Sequence, residues 1–205
     1  MAFASRYAFY FNLLFLLIFS TSSAAETGSA PSAVVRQFQS GLLSVMKDAD
    51  RLTVQERYER LVPLIEESYH LGTMIRVASS GYWTQTTDDQ KHRLLSAFKR
   101  MGGTTLATLF SGYSGESFDV LGERPGPQET VIVASQVVRP EKPPIAINYV
   151  TRQFGGRWYV IDVILDNSIS ELTVRQSEYR AVLQKGGIEA LISLLDGKAN
   201  ELAAR

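Results

Sequence analysis

Two histidines, His70 and His92, and no cysteine set the first limit on the chemistry of this 205-residue chain. Without a thiol there is no disulfide, no thiolate metal ligand, no cysteine nucleophile and no acylated lipoprotein cysteine. No third ligand stands at metal-binding spacing from either histidine, so no zinc site is expected. Gly112-Tyr113-Ser114-Gly115-Glu116 has a superficial likeness to a nucleophile elbow. That elbow requires glycine two residues after the serine, and Glu116 stands there. Gly115 reads instead as a helix end. Neither a GxGxxG turn nor a Walker loop occurs. The carboxylates Glu66-Glu67 and Asp88-Asp89 are sequence neighbours, which diverge by about 100° on a helix and so cannot share one proton. Asp88 and Asp89 suit the first turn of a helix, where negative charge meets the positive end of the dipole. Asp162 differs, because it interrupts the apolar run Val160-Ile161-Asp162-Val163-Ile164. It either turns to a polar face and accepts hydrogen bonds there, or acts as a base in a cavity with its pKa raised by desolvation.

The elements that must position these residues follow from apolar spacing. Val34, Val35, Phe38, Leu42, Val45 and Met46 recur at helical period. Thr53 with Glu56 reads as a capping box opening a second helix, which Pro63 should kink. Leu71 to Ala78 is a short helix ended by Ser79-Ser80-Gly81. Thr87 with Gln90 opens a long helix whose apolar stripe runs from Leu94 through Phe98, Met101, Leu106, Leu109 and Phe110. Gly102-Gly103 in its middle marks a kink or a close approach by another element. From Glu116 the period becomes strand-like. Ser117–Gly122, Thr130–Val138, Ile145–Phe154 and Arg157–Leu165 are candidate strands, joined by Pro125-Gly126-Pro127 and the hairpin pair Gly155-Gly156. Asp166-Asn167-Ser168 closes the sheet. Helices return with Leu172, Val174, Tyr179 and Leu183, are capped at Gly186-Gly187, and resume with Ile188, Leu191 and Leu195. The order of helices, strands, helices predicts an α+β fold: a twisted antiparallel sheet of about four strands wrapped by N- and C-terminal helices.

The 21 basic residues balance the 21 acidic ones, which argues against a nucleic-acid binder. Arg6, the apolar stretch Tyr7–Phe19 and the small residues up to Ala25 form the pattern of a secretory signal peptide, with cleavage expected near Ala25. What remains is an excess of apolar faces. Val133, Ile147, Tyr149, Ile161 and Val163 fall on one strand alternation, and Phe98, Met101, Leu106 and Phe110 lie on the long helix. By periodicity alone these residues fit a packed core as well as a ligand cavity between sheet and helices.

The stretch Gly156-Arg157-Trp158-Tyr159-Val160-Ile161-Asp162-Val163-Ile164-Leu165-Asp166-Asn167-Ser168-Ile169-Ser170 resembles the hallmark of a known family. So do Arg175-Gln176-Ser177-Glu178-Tyr179, Gly187-Ile188-Glu189-Ala190-Leu191, and the series Trp83, Thr87-Asp88-Asp89-Gln90, Phe98. They resemble the MlaC, or toluene-tolerance auxiliary, family of periplasmic lipid-binding proteins. The segment Phe110–Glu116, with Asp166–Ser170, is most similar to the hopanoid-associated HpnM branch. Asn167 departs from the family pattern, which has glycine there, but Asn tolerates left-handed backbone. The resemblance implies a single lipid-binding domain over residues 26–205 and a deep apolar pocket between sheet and helices. It also implies a non-enzymatic periplasmic carrier without a cofactor, holding the acyl chains of a phospholipid or hopanoid. Its implied partners are an inner-membrane ABC transporter complex and an outer-membrane lipoprotein complex. The residues expected at the lipid are Phe98, Met101, Leu106, Phe110, Val133, Ile147, Tyr149, Ile161 and Val163.

Overall fold

The computed structural model describes residues 30–204, and the signal-peptide pattern at residues 1–25 lies outside them. Both capping boxes form. Thr53 N–H donates to Glu56 Oε2 at 2.8 Å while Glu56 N–H donates back to Thr53 Oγ1 at 3.2 Å. Thr87 and Gln90 repeat the exchange at 3.1 and 3.3 Å. Each box satisfies donors that the first turn of a helix leaves free. Helix α1 spans Pro31–Asp48, α2 Val54–Ser68, α3 Leu71–Ala78 and α4 Asp88–Leu109. Helix α2 continues through Pro63, which lies on its exposed face, where water can take up the carbonyl that the ring leaves unpaired. Helix α4 ends at Leu109, ahead of Gly115.

The sheet is an antiparallel meander in the order β1-β2-β3-β4-β5, formed by Ser117–Pro125, Val131–Arg139, Lys142–Phe154, Arg157–Leu165 and Ile169–Ser170. The four expected strands are present, and a two-residue fifth follows the Asp166-Asn167-Ser168 turn. Gly155 and Gly156 have φ of 55° and 80°, as a two-residue hairpin with primed-turn twist requires. Asp166 and Asn167 are also left-handed, at φ 46° and 60°, and Asn148 Nδ2 donates to Asn167 Oδ1 at 2.7 Å. The polar side chain thus holds a backbone conformation for which glycine would otherwise be needed.

Helix α5 spans Glu171–Ala203, broken at Gly187, whose φ of 63° and ψ of −156° are open only to glycine. The expected cap is therefore a break between two helical halves.

Two apolar clusters hold these elements together. Ile75, Leu94, Phe98, Leu183, Leu191 and Leu195 join α3, α4 and α5. Val35, Phe38, Leu42, Leu61, Val133 and Val160 join α1 and α2 to the sheet. Helix α4 serves both, giving Phe98 and Met101 to the first and Ala107 to the second. The buried Arg57 locks α2 across the end of α4: its guanidinium donates to the carbonyls of Ala107 (2.8 Å), Ala49 (3.2 Å) and Leu52 (2.5 Å). Carbonyls at helix C-termini lack intrahelical partners and carry partial negative charge, which suits a cation there.

The glycine pair of α4 divides its roles. A Cβ on Gly103 would stand 2.8 Å from Tyr58 Cε2, so this glycine is the close approach of α2. A Cβ on Gly102 would meet nothing within 4 Å. Chemical denaturation should separate the two. Gly103→Val is expected to destabilise the fold by about 1–3 kcal/mol through overpacking. Gly102→Ala is expected to stabilise it by up to about 1 kcal/mol through helix propensity.

Candidate functional site

The open space beside Gly102 is an apolar cavity of about 310 Å³ between α4 and the sheet. One wall is a single face of α4: Phe98, Met101, Gly102, Thr105, Leu106 and Leu109 recur at helical spacing and all line it. The opposite wall is Phe118 of β1, Ile147 and Tyr149 of β3, and Val163 and Leu165 of β4. Phe38, Leu42, Ile65 and Tyr69 continue it from α1 and the end of α2, and Leu71 and Met74 from α3. Leu109 is 70% exposed, so it stands at an opening. The side-chain oxygen of Thr105 is turned away, its hydroxyl donating to Met101 O at 2.8 Å.

The polar groups within are few and managed. The Tyr149 hydroxyl accepts from Gln39 Nε2 at 3.5 Å, and the same amide donates to Ser135 Oγ at 2.7 Å. Phe38 and Tyr69 meet edge to face, with ring centroids 4.9 Å apart. Burial pushes the Tyr149 phenol up to about 12. Burial, then the neighbouring Tyr149, holds the Tyr69 phenol well above the ordinary tyrosine range. Charged groups line the cavity only where they stay partly exposed. Lys99 pairs with Glu66 at 2.6 Å, and Arg175 with Glu171 at 3.5 Å and Glu178 at 2.9 Å. Such pairs are worth little to stability but place both signs of charge at the rim.

Of the residues expected from sequence, Phe98, Met101, Leu106, Phe110, Ile147, Tyr149 and Val163 line this cavity, and Val133 and Ile161 do not. Val133 is fully buried in the core of α1, α2 and the sheet. The reason for Ile161 is a bulge. Val150 pairs with Asp162 and Thr151 with Val160, so Ile161 has no partner across the ladder. The slip puts Val160 and Val163 in the same cluster, where simple alternation separates them. The contributions of α1, α2 and α3 were missed. Their only signal was helical period, which is the same for a core face and a cavity wall.

Asp162 stands outside the cavity wall, its carboxylate fully engaged. Oδ1 accepts from the backbone N–H of Val163 (2.8 Å) and Leu172 (2.9 Å), and Oδ2 from Ser170 Oγ (2.6 Å). This geometry is that of a helix cap, and both carboxylate oxygens take part in it. His70 is also structural, its Nδ1 accepting from Thr73 N–H at 3.2 Å and its ring stacked on Phe154 at 4.0 Å. Among the described residues no three of His, Asp and Glu are grouped to hold a metal ion.

Two measurements test this geometry. A phenol raised by burial keeps its proton in the folded state while the unfolded chain releases it near pH 10, so stability falls as pH rises from about 10 towards 12. Absorbance titration at pH 11 should find Tyr69 and Tyr149 still protonated in the folded protein and ionised in denaturant. Gly102→Leu should fill the cavity and weaken uptake of an apolar fluorophore such as 1-N-phenylnaphthylamine by about tenfold or more, with the melting temperature held within a few degrees.

Comparison with known proteins agrees with this architecture. A profile of the family described as MlaC protein matches residues 36–196. No curated protein sequence matches the chain. Among solved structures, the phospholipid-binding protein from Ralstonia solanacearum, determined in complex with a phospholipid, superposes with a TM-score of 0.76. It is 20% identical, and the match covers 85% of this chain and 99% of that one, a likeness of fold. The family match spans most of the chain: this protein belongs to the MlaC family.

Proposed function

We propose that the protein is a lipid carrier that hides acyl chains from water in the cavity between α4 and the sheet. The observation that supports this best is the cavity itself, apolar along its length and charged only at its rim. Withdrawal from water is worth about 0.8 kcal/mol per methylene. A dozen methylenes supply roughly 10 kcal/mol before the cost of ordering the chain, so apolar lining alone is a sufficient binding device. No catalytic group is needed, and Asp162 is occupied as a cap. Phe98, Met101, Leu106, Phe110, Ile147, Tyr149 and Val163 contact the chains, and the head group stays at the rim among Lys99, Glu171 and Arg175.

The finer reading places residues 26–205 in the periplasm as a single lipid-binding domain, after removal of the leader near Ala25. There it shuttles phospholipid or hopanoid between an inner-membrane ABC transporter complex and an outer-membrane lipoprotein complex. The leader pattern and the membership of the MlaC family support that role, and the likeness of Phe110–Glu116 and Asp166–Ser170 to the HpnM branch supports a hopanoid cargo. Native mass spectrometry of protein purified without detergent should find lipid bound at about one per chain. Extraction of that lipid decides between phospholipid and hopanoid. A lipid-free protein that takes up none from phosphatidylethanolamine–phosphatidylglycerol vesicles would refute the carrier reading.

A further inference from the structure

The start of α5 forms part of the cavity wall through Glu171, Leu172 and Arg175, and it is held in an unusual way. Ser170 is its N-cap, with Oγ accepting from Thr173 N–H at 3.0 Å. Asp162, eight residues back on β4, accepts from both the Ser170 hydroxyl and the Leu172 N–H. One carboxylate thus ties the sheet to the first turn of the helix, and its charge suits the positive end of the dipole.

The rest of that helical half has fewer anchors than the half beyond Gly187: Leu172 and Val182 pack partly buried against the core of α3, α4 and α5, and Gln176 Nε2 donates to Ser80 Oγ at 2.7 Å. Between Glu171 and Gly186 only Tyr179 and Leu183 are buried, whereas Ile188, Leu191, Ile192, Leu195 and Ala199 bury the half beyond Gly187. The Tyr179 hydroxyl is itself buried without a protein hydrogen-bond partner, which penalises the closed packing. At the far end stands Gly187, in a conformation that breaks the helix. At the near end, the left-handed pair Asp166-Asn167 forms a second turn between β4 and β5. A segment with a glycine break at one end, a turn at the other and only two fully buried side chains between them can move as a unit once those contacts are released.

We propose that Asp162 is a positioning residue for ligand exchange: its carboxylate latches the segment Glu171–Gly186 closed over the cavity, and that segment swings about Gly187 to admit and release the ligand. The inference rests on the carrier reading. It assigns the one carboxylate of the apolar strand to retention of cargo, with no role in proton transfer. Asp162→Ala removes all three acceptor bonds. Asp162→Asn keeps Oδ1 for the two backbone amides, and its Nδ2 can donate to Ser170 Oγ, so it should rescue the latch.

The test loads the purified protein with a pyrene-labelled phosphatidylethanolamine and follows transfer to phosphatidylglycerol vesicles, with amide hydrogen exchange on the same variants. Asp162→Ala should speed release by about tenfold, and Asp162→Asn should stay within about twofold of the parent protein. Exchange in Asp162→Ala should accelerate over residues 171–186 and stay unchanged over 188–199. An unchanged release rate in Asp162→Ala, or exchange that rises equally on both sides of Gly187, would overturn the latch. If Asp162→Ala fails to fold, Ser170→Ala breaks one carboxylate bond and the cap, and the same pattern is expected at smaller amplitude. A protein that takes up no labelled lipid at all refutes the carrier reading, while the exchange pattern still reports on the latch.

Discussion

An apolar cavity stays open only if its walls are fixed by something other than each other. Left to itself, a void of this size costs several kcal/mol, and side chains relax into it. Here the walls are held by two separate cores that meet at Leu71, which packs against both. One core closes α3, α4 and α5, with most of the α5 contribution coming from the half beyond Gly187, and the other closes α1, α2 and the sheet. Helix α4 is common to both and stands between them, so the face carrying Phe98, Gly102, Leu106 and Leu109 is suspended opposite Ile147, Tyr149 and Val163. Arg57 fixes the far end of that helix, and Gly103 lets α2 press against its back. The cavity is a consequence of this double support.

The same arrangement explains why polar groups are distributed as they are. Buried hydroxyls and amides must be paired or turned away. Thr105 returns its hydroxyl to its own helix, and Gln39 serves Tyr149 and Ser135 together. The charges left over collect at partly exposed positions, as opposite-sign pairs. An amphiphile needs that division of surface, with an apolar interior for its chains and water at its head group. The absence of a cysteine then requires only that packing hold the fold unaided.

Local chemistry was the most readable part of the sequence. The two capping boxes, the Gly155-Gly156 hairpin and the break at Gly187 each depend on residues within one turn of each other, and each appears where the residues stand. The wall of α4 was also readable, because its stripe and the glycine pair lie on one helix. What was hidden depends on distant pairing. The bulge at Ile161 arises from the register between β3 and β4 and removes that residue from the wall. Val133 and Val163 share an apolar strand pattern, yet one is sealed under α1 and the other faces open space. Hydrophobic period says that a residue is covered and leaves open what covers it. Asp162 shows the same boundary, since a lone carboxylate in an apolar strand reads as a candidate base until its acceptor bonds to Ser170 and Leu172 are seen.

On the reading proposed above, an acyl lipid fills this cavity. A crystal structure of the protein purified with its native cargo tests it directly. Elongated density is expected along the α4 face from Phe98 to Leu109, against Ile147, Tyr149 and Val163, with its polar end among Lys99, Glu171 and Arg175. Side chains closed over an empty interior, or lipid bound only on the outer surface, would contradict it.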